Sequence, residues 1–206
     1  MALYLEIHPE NPQLRLIHRA IDIIRNGGII VYPTDSAYAL ACNLDDKNAL
    51  ERIRRIRQLD DKHNFTLICK DLAQVSGFSK INNEAFRLIK SLTPDAFTFI
   101  LEATKEVPRR LQHPKKKTIG ISIPKSEIAQ KLVEELGEPL FTTTLILPSE
   151  SDAMSDPFEI RERLDDLVDL IIDAGIIEYQ PTTIIDCTGN NCEIIRQGKG
   201  VAPSLG

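Results

Sequence analysis

Tryptophan is absent from the chain, and aromatic residues of every kind make up only 5% of it. Base-stacking platforms need several exposed aromatics, so sequence-specific reading of nucleic-acid bases is not expected. Long hydrophobic runs are missing too: none approaches the roughly 20 residues that a membrane-spanning helix requires. The N-terminus, Met1-Ala2-Leu3-Tyr4-Leu5-Glu6, has neither a basic head nor a continuous apolar core, so no signal peptide is visible. Cys42, Cys69, Cys187 and Cys192 form no Cys-x-x-Cys pair, and the first three lie in apolar, strand-like surroundings. They read as buried free thiols rather than disulfide partners or metal ligands, which points to a cytoplasmic protein. No Ser-His-Asp arrangement, metal-ligand cluster, internal repeat or low-complexity stretch stands out, and no protein-bound metal is expected.

What remains is ordinary globular material, 42% hydrophobic and 27% charged. A chain of 206 residues fits a single domain over residues 1–206 that buries roughly 70% of its unfolded surface. The net charge of −5 hides an asymmetry. Residues 1–125 carry 20 Lys and Arg against 14 Asp and Glu, whereas residues 126–206 carry 5 against 16. That split suggests one basic working surface and one acidic, solubilising surface.

The segment Gly27-Gly28-Ile29-Ile30-Val31-Tyr32-Pro33-Thr34-Asp35-Ser36-Ala37-Tyr38-Ala39-Leu40 is the most informative. Its β-branched and aromatic run reads as a buried strand. Pro33 has no N–H to donate and closes the ladder. Three short oxygen-bearing side chains follow at the strand's carboxyl end, where open α/β sheets bind ligands.

Around it, strands are expected at 3–7, 65–69, 97–102, 118–123, 140–147, 168–172, 182–186 and 193–196. Helices are expected from an Asn11 cap with Pro12 at the first position, over 47–58 and 82–92, over 126–136 closed by Gly137, and from Asp156-Pro157. Strands alternating irregularly with helices imply an α/β (α+β) fold, a mixed sheet covered by helices.

Two basic clusters are candidates for anion binding. In the second helix, Arg52, Arg54, Arg55 and Arg57 outnumber Glu51, which is expected to pair with Arg55; Lys62 and His63 follow. Further along, Arg109, Arg110, His113, Lys115, Lys116 and Lys117 read as an exposed loop. Each cluster is either a solvated charged surface or a phosphate-contacting one. The hydroxyls of Thr142-Thr143-Thr144, at the end of an apolar strand, are either cross-strand pairs or ligand contacts.

The 32–40 segment resembles the Pro-Thr-Asp-Thr-x-Tyr-Gly-Leu signature of the YrdC-like family, and its Asp-Ser-x-Tyr-Ala-Leu form is similar to the YciO branch. The resemblance continues through Arg57-Gln58-Leu59, His63 to Leu67, Phe97 to Leu101, Lys105 to Leu111 and Lys117 to Gly120. It resumes at Leu136 to Leu140, Pro181 to Asp186 and Arg196-Gln197-Gly198, covering nearly the whole chain in order.

The resemblance implies a YrdC/RibB-like fold: a twisted mixed parallel/antiparallel sheet with a concave basic face. It implies an L-threonylcarbamoyladenylate synthase using ATP with Mg²⁺, L-threonine and bicarbonate, linked to tRNA modification. Thr34 and Arg57 would then be catalytic, and Thr142, Thr144, Thr182 and Arg196 would bind the nucleotide. The alternative is a non-catalytic binder of double-stranded or ribosomal RNA, contacting phosphates through Arg52, Arg54, Arg55, Lys62, Arg109, Arg110, Lys115, Lys116 and Lys117.

The chain departs from the active branch at catalytic motifs. The Lys-x-Arg-Pro element reads Arg57-Gln58-Leu59-Asp60, the Ser-x-Asn element reads Thr144-Leu145-Ile146, and the arginine of the Ile-Gly-x-Arg-x-Pro strand is Ser122. Each lost charge-assisted hydrogen bond is worth about 1.5–3 kcal/mol, so weakened or altered chemistry is expected.

Overall fold

A computed structural model describes residues 1–60 and 62–205. Its strands are β1 (Leu3–Glu6), β2 (Ile30–Pro33), β3 (Tyr38–Asn43), β4 (Thr66–Ile68), β5 (Ser79–Lys80), β6 (Phe97–Ala103), β7 (Thr118–Ser122), β8 (Leu140–Thr144), β9 (Leu170–Asp173), β10 (Thr183–Asp186) and β11 (Glu193–Arg196). They form one mixed sheet in the order β1-β9-β2-β3-β8-β4-β7-β6-β10-β11, with β5 paired to β6 beside that path. The helices are α1 (Leu14–Arg25), α2 (Lys47–Arg57), α3 (Leu72–Phe78), α4 (Asn83–Leu92), α5 (Glu127–Leu136) and α6 (Pro157–Leu164), with a 3₁₀ turn at Arg109–Leu111.

Strand alternation sorts the side chains onto two faces. On one face, α1 packs Ile17, Ala20, Ile21 and Ile24, and α5 packs Ile128, Ala129, Leu132 and Val133. Both lie over Ile30, Ala39, Ala41, Leu140, Leu170 and Ile172 of the sheet. The other face carries the larger cluster, to which α2, α3, α4 and α6 contribute Leu50, Ile53, Val75, Ile89, Ile160 and Leu164.

Register extends the first face outward. Thr142 of β8 stands beside Thr66 of β4, which stands beside Gly120 of β7, and Gly120 beside Ile100 of β6. The core under α1 and α5 reaches only as far as β8 and β4. Among the described residues, the same face of β7, β6 and β10 is therefore left without a helix over it.

The mixed sheet expected from sequence is present, with several local differences, among them helix α3 and strand β5, which the expectation lacked. Helix α1 starts at Leu14 with Gln13 at its cap, not at Asn11-Pro12. The His8 ring accepts the N–H groups of Glu10 and Asn11, which holds that segment in a turn. Glu51 reaches Arg54, at 3.8 Å, rather than Arg55. Strand β3 had no counterpart in the expectation. Cys187 is not a free thiol: it is bonded to Cys192 across the turn of the β10–β11 hairpin, which brings their Cα atoms to 4.4 Å. Cys42 and Cys69 are buried free thiols as expected.

Helices α2, α5 and α6 are capped by side chains at their starts, and Gly137 closes α5 as expected. Asp46, Ser126 and Asp156 each accept a first-turn N–H, and Gly137 ends α5 at φ +80°. No helix is long and apolar enough to cross a membrane among the described residues.

Candidate functional site

The uncovered part of the sheet is the floor of a cleft of about 440 Å³. Thr66, Ile68, Thr98, Ile100, Gly120, Ser122 and Ile184 line it from the strands. Gly120 keeps the floor open, since a Cβ there would lie 2.8 Å from the Thr66 hydroxyl and 3.1 Å from the Phe65 carbonyl.

One wall comes from the turn after β2. The Thr34 hydroxyl donates to the Ala37 carbonyl (2.6 Å) and accepts the N–H groups of Ser36 and Ala37 (3.2 and 3.1 Å). Thr34 thus shapes the turn, and its hydroxyl hydrogen is committed there. Asp35 turns the other way and accepts the backbone N–H groups of Lys125 (2.8 Å) and Ser126 (2.6 Å) at the start of α5. Burial, the largest influence, raises the pKa of Asp35, and the two N–H donors and Lys199 oppose it.

The opposite wall is the end of α2 and the connection to β4. Arg57 donates from Nε to the Ile146 carbonyl (2.9 Å) and from Nη1 to the Thr143 hydroxyl (2.6 Å). Burial lowers its pKa. Lys62, His63 and Asn64 also line this wall. Burial and then the nearby Arg57 lower the His63 pKa to about 4, so its imidazole is neutral near pH 7.

A row of hydroxyls crosses the floor. The Ser122 hydroxyl donates to the Phe97 carbonyl (2.7 Å) and lies 3.2 Å from that of Thr98. Thr98 is 2.9 Å from the Thr182 hydroxyl. Arg196 closes the row, donating Nε and Nη2 to the Thr182 carbonyl (3.1 and 2.8 Å). Where the active branch has an arginine, this chain therefore carries the first member of a hydroxyl ladder that ends on another arginine. Thr142 and Thr144 line the cleft from β8, with the Thr142 hydroxyl 2.6 Å from the buried Tyr32 phenol.

The structure gathers Thr34, Arg57, Lys62, Thr142, Thr144, Thr182 and Arg196 around this one cleft. It does not bring the other basic candidates there. Arg52 pairs with Asp169 at 2.8 Å, and Arg54 lies over the Phe65 ring. Arg110 donates to the Asp45 carbonyl at 2.7 Å and lines a separate open depression. Arg55, Arg109, Lys115, Lys116 and Lys117 lie on the surface away from the cleft lining. Of the departures, Leu59 packs against the core and Ile146 lines the cleft. Thr98 and Tyr179 were not singled out from sequence as site residues, and His63 was named only as a member of the first basic cluster. Thr98 and His63 lay inside motifs quoted for the resemblance, and Tyr179 stands three residues before Thr182.

The Sua5/YciO/YrdC family model, described as telomere recombination, matches residues 22–198. YciO of Escherichia coli (strain K12), an uncharacterised protein, is 55% identical over the full length of both chains. Its crystal structure aligns over 98% of each chain with a TM-score of 0.94. An uncharacterised protein of Haemophilus influenzae is 52% identical over 97% of each chain. Sua5 of P. abyssi, solved in complex with L-threonine, is 25% identical and has a TM-score of 0.87. That alignment covers 96% of this chain and 58% of Sua5. A family match across most of the sequence, joined to a shared fold, makes this chain a member of the Sua5/YciO/YrdC family.

Proposed function

We propose that the cleft binds ATP and L-threonine and forms L-threonylcarbamoyladenylate from them and bicarbonate, with chemistry weakened by the changes at Leu59, Ile146 and Ser122. The observation that carries this reading is the presence of Arg57 and Arg196 together in the lining of one hydroxyl-rich cleft. Such a site can hold a polyphosphate and a carboxylate at once. The L-threonine bound to the related Sua5 adds support for an amino-acid substrate.

The reaction requires no covalent enzyme intermediate. The threonine amine attacks CO₂ derived from bicarbonate and loses a proton, giving a carbamate. A carbamate oxygen then attacks the α-phosphorus, the α–β anhydride bond breaks, and pyrophosphate leaves with the electron pair. The protein's task is to align three reactants and neutralise charge. Arg196, steadied by Thr182, would meet the phosphates. Arg57, held by the Ile146 carbonyl and Thr143, would face the carboxylate or the departing phosphates. Thr34 would act by holding the turn that closes the wall.

Among the described residues no group of three His, Cys, Asp or Glu could hold a metal, and the Asp35 carboxylate is occupied by two N–H groups. Mg²⁺ would therefore arrive on the ATP phosphates, as part of the substrate, and screen their charge.

Calorimetric titration of Mg-ATP, with and without threonine and bicarbonate, tests the reading. The expected result is ATP binding that threonine strengthens and Arg196→Ala weakens. No binding at millimolar ATP would overturn it. The RNA-binding reading draws less support, because Arg52 and Arg110 are engaged with protein oxygens. Its remaining footing is the exposed Arg55, Arg109 and Lys115-Lys116-Lys117.

A further inference from the structure

The connection between β9 and β10 has an unusual path. Strand β9 stands next to one edge of the sheet and β10 next to the other. Nine residues, 174–182, make that passage. The turn after β2 lies against the start of α5, where Asp35 accepts the Lys125 and Ser126 N–H groups.

The segment is held at intervals. The Tyr38 hydroxyl accepts the Ala174 N–H (3.0 Å) and donates to the Gly175 carbonyl (2.7 Å). Gly175 has φ +88°, a conformation that favours glycine. Ile177 then donates its N–H to the Ser155 carbonyl (3.0 Å), and Gln180 to the Ser36 carbonyl (3.0 Å). At the far end, the Thr182 carbonyl takes the two Arg196 donors. Between the Ile177 and Gln180 anchors, Tyr179 joins the cleft lining, half-buried.

Tyr179 differs from the other aromatics at the cleft. Tyr32 is fully buried with its hydroxyl on Thr142, and Phe97 is buried and stacked on Phe99. His63 packs edge-on against Phe65. Tyr179 has neither a ring partner nor a hydrogen bond to its hydroxyl among the described residues. It stands near Arg57 in the cleft lining. A flat apolar ring beside a cation, on a segment crossing the rim, suits a ligand that is a planar heterocycle at one end and an anion at the other.

We infer that Tyr179 stacks on the nucleobase of the bound nucleotide, and that residues 174–182 form a strap covering that end of the ligand. This inference rests on the nucleotide-binding reading above and adds to it the residue that distinguishes a nucleotide from a bare polyphosphate.

Calorimetry on the full chain, with Mg-ATP and Mg-tripolyphosphate as probes, tests it. Base–aromatic stacking is worth about 1–3 kcal/mol, so Tyr179→Ala is expected to weaken ATP binding about 5- to 150-fold. Tyr179→Phe keeps the ring and is expected to stay within about twofold of the parent, and neither change is expected to alter tripolyphosphate binding. ATP binding unaffected by Tyr179→Ala would overturn the inference alone. An equal loss for ATP and tripolyphosphate would also overturn it, since the ring would then act on the phosphates or on the fold. If the parent protein binds no ATP, the nucleotide reading falls and this inference falls with it. Because the chain lacks tryptophan, Tyr179→Trp supplies a single tryptophan, whose emission is read apart from that of the tyrosines. Its emission should change with ATP or adenosine and not with tripolyphosphate; no response to bound ATP would contradict the stacking.

Discussion

Arg196 lies on the surface, where a long side chain would ordinarily sample many rotamers. Its bonds to Thr182, which is in turn bonded to Thr98 and through it to Ser122, remove much of that freedom. Charged hydrogen bonds contribute about 1.5–3 kcal/mol, so Arg196→Ala should weaken Mg-ATP binding by about tenfold or more in calorimetry. Thr98→Val keeps the shape and removes the hydroxyl. It should reproduce part of that loss, and Thr98→Ser should restore it.

His63 makes a separate prediction at this scale. An unfolded chain protonates histidine near pH 6.5, whereas the folded site resists protonation until about pH 4. Between those values the unfolded state binds more protons, so falling pH destabilises the fold. Urea unfolding at pH 7 and pH 5 should show a loss for the parent protein, and a smaller one for His63→Gln.

Among the elements, the β10–β11 hairpin carries both Thr182's neighbours and Arg196, and its exit is tightly built. A Cβ on Gly198 would collide with the backbone carbonyls of Pro181 and Thr182. Gly198→Ala must displace one chain from the other. It should lower stability by about 1–3 kcal/mol and weaken nucleotide binding as Arg196 moves. Helix α2 is anchored at its start by Asp46, which accepts the Ala49 N–H at 2.9 Å. Asp46→Ala should cost about 1 kcal/mol of stability in urea unfolding.

Helix α5 was legible from Ser126 to Gly137 because both its ends carry side chains or a backbone suited to a cap. Strand β3 was not, because both its faces are buried and it shows no alternation. Helix α3 has only seven residues, too few to establish a stripe. The Cys187–Cys192 pairing depends on the hairpin turning between them, which five residues of spacing do not reveal.

For the molecule as a whole, sequence named candidate charges but could not say which of them tertiary packing would engage. Arg52 finds Asp169, 117 residues away, and Arg110 finds the Asp45 carbonyl, 65 residues away. Both partners come from tertiary packing, so a helix carrying four arginines looked more available than it is. The converse holds for the cleft. Thr66, Thr98, Gly120 and Thr142 come from four strands, and only register sets them side by side. The floor lies where the core under α1 and α5 ends, beyond β8 and β4. Leu59, at a position where the active branch carries a cation, packs into the core. The fold is thus secured at a point where the reaction would have gained a charge.

Pyrophosphate release from Mg-ATP, measured with threonine and bicarbonate present together, singly and not at all, tests the central claim most directly. The account predicts slow release that requires both co-substrates and falls further in Arg196→Ala. Release that ignores either co-substrate, or none at all from protein that binds ATP, would contradict it.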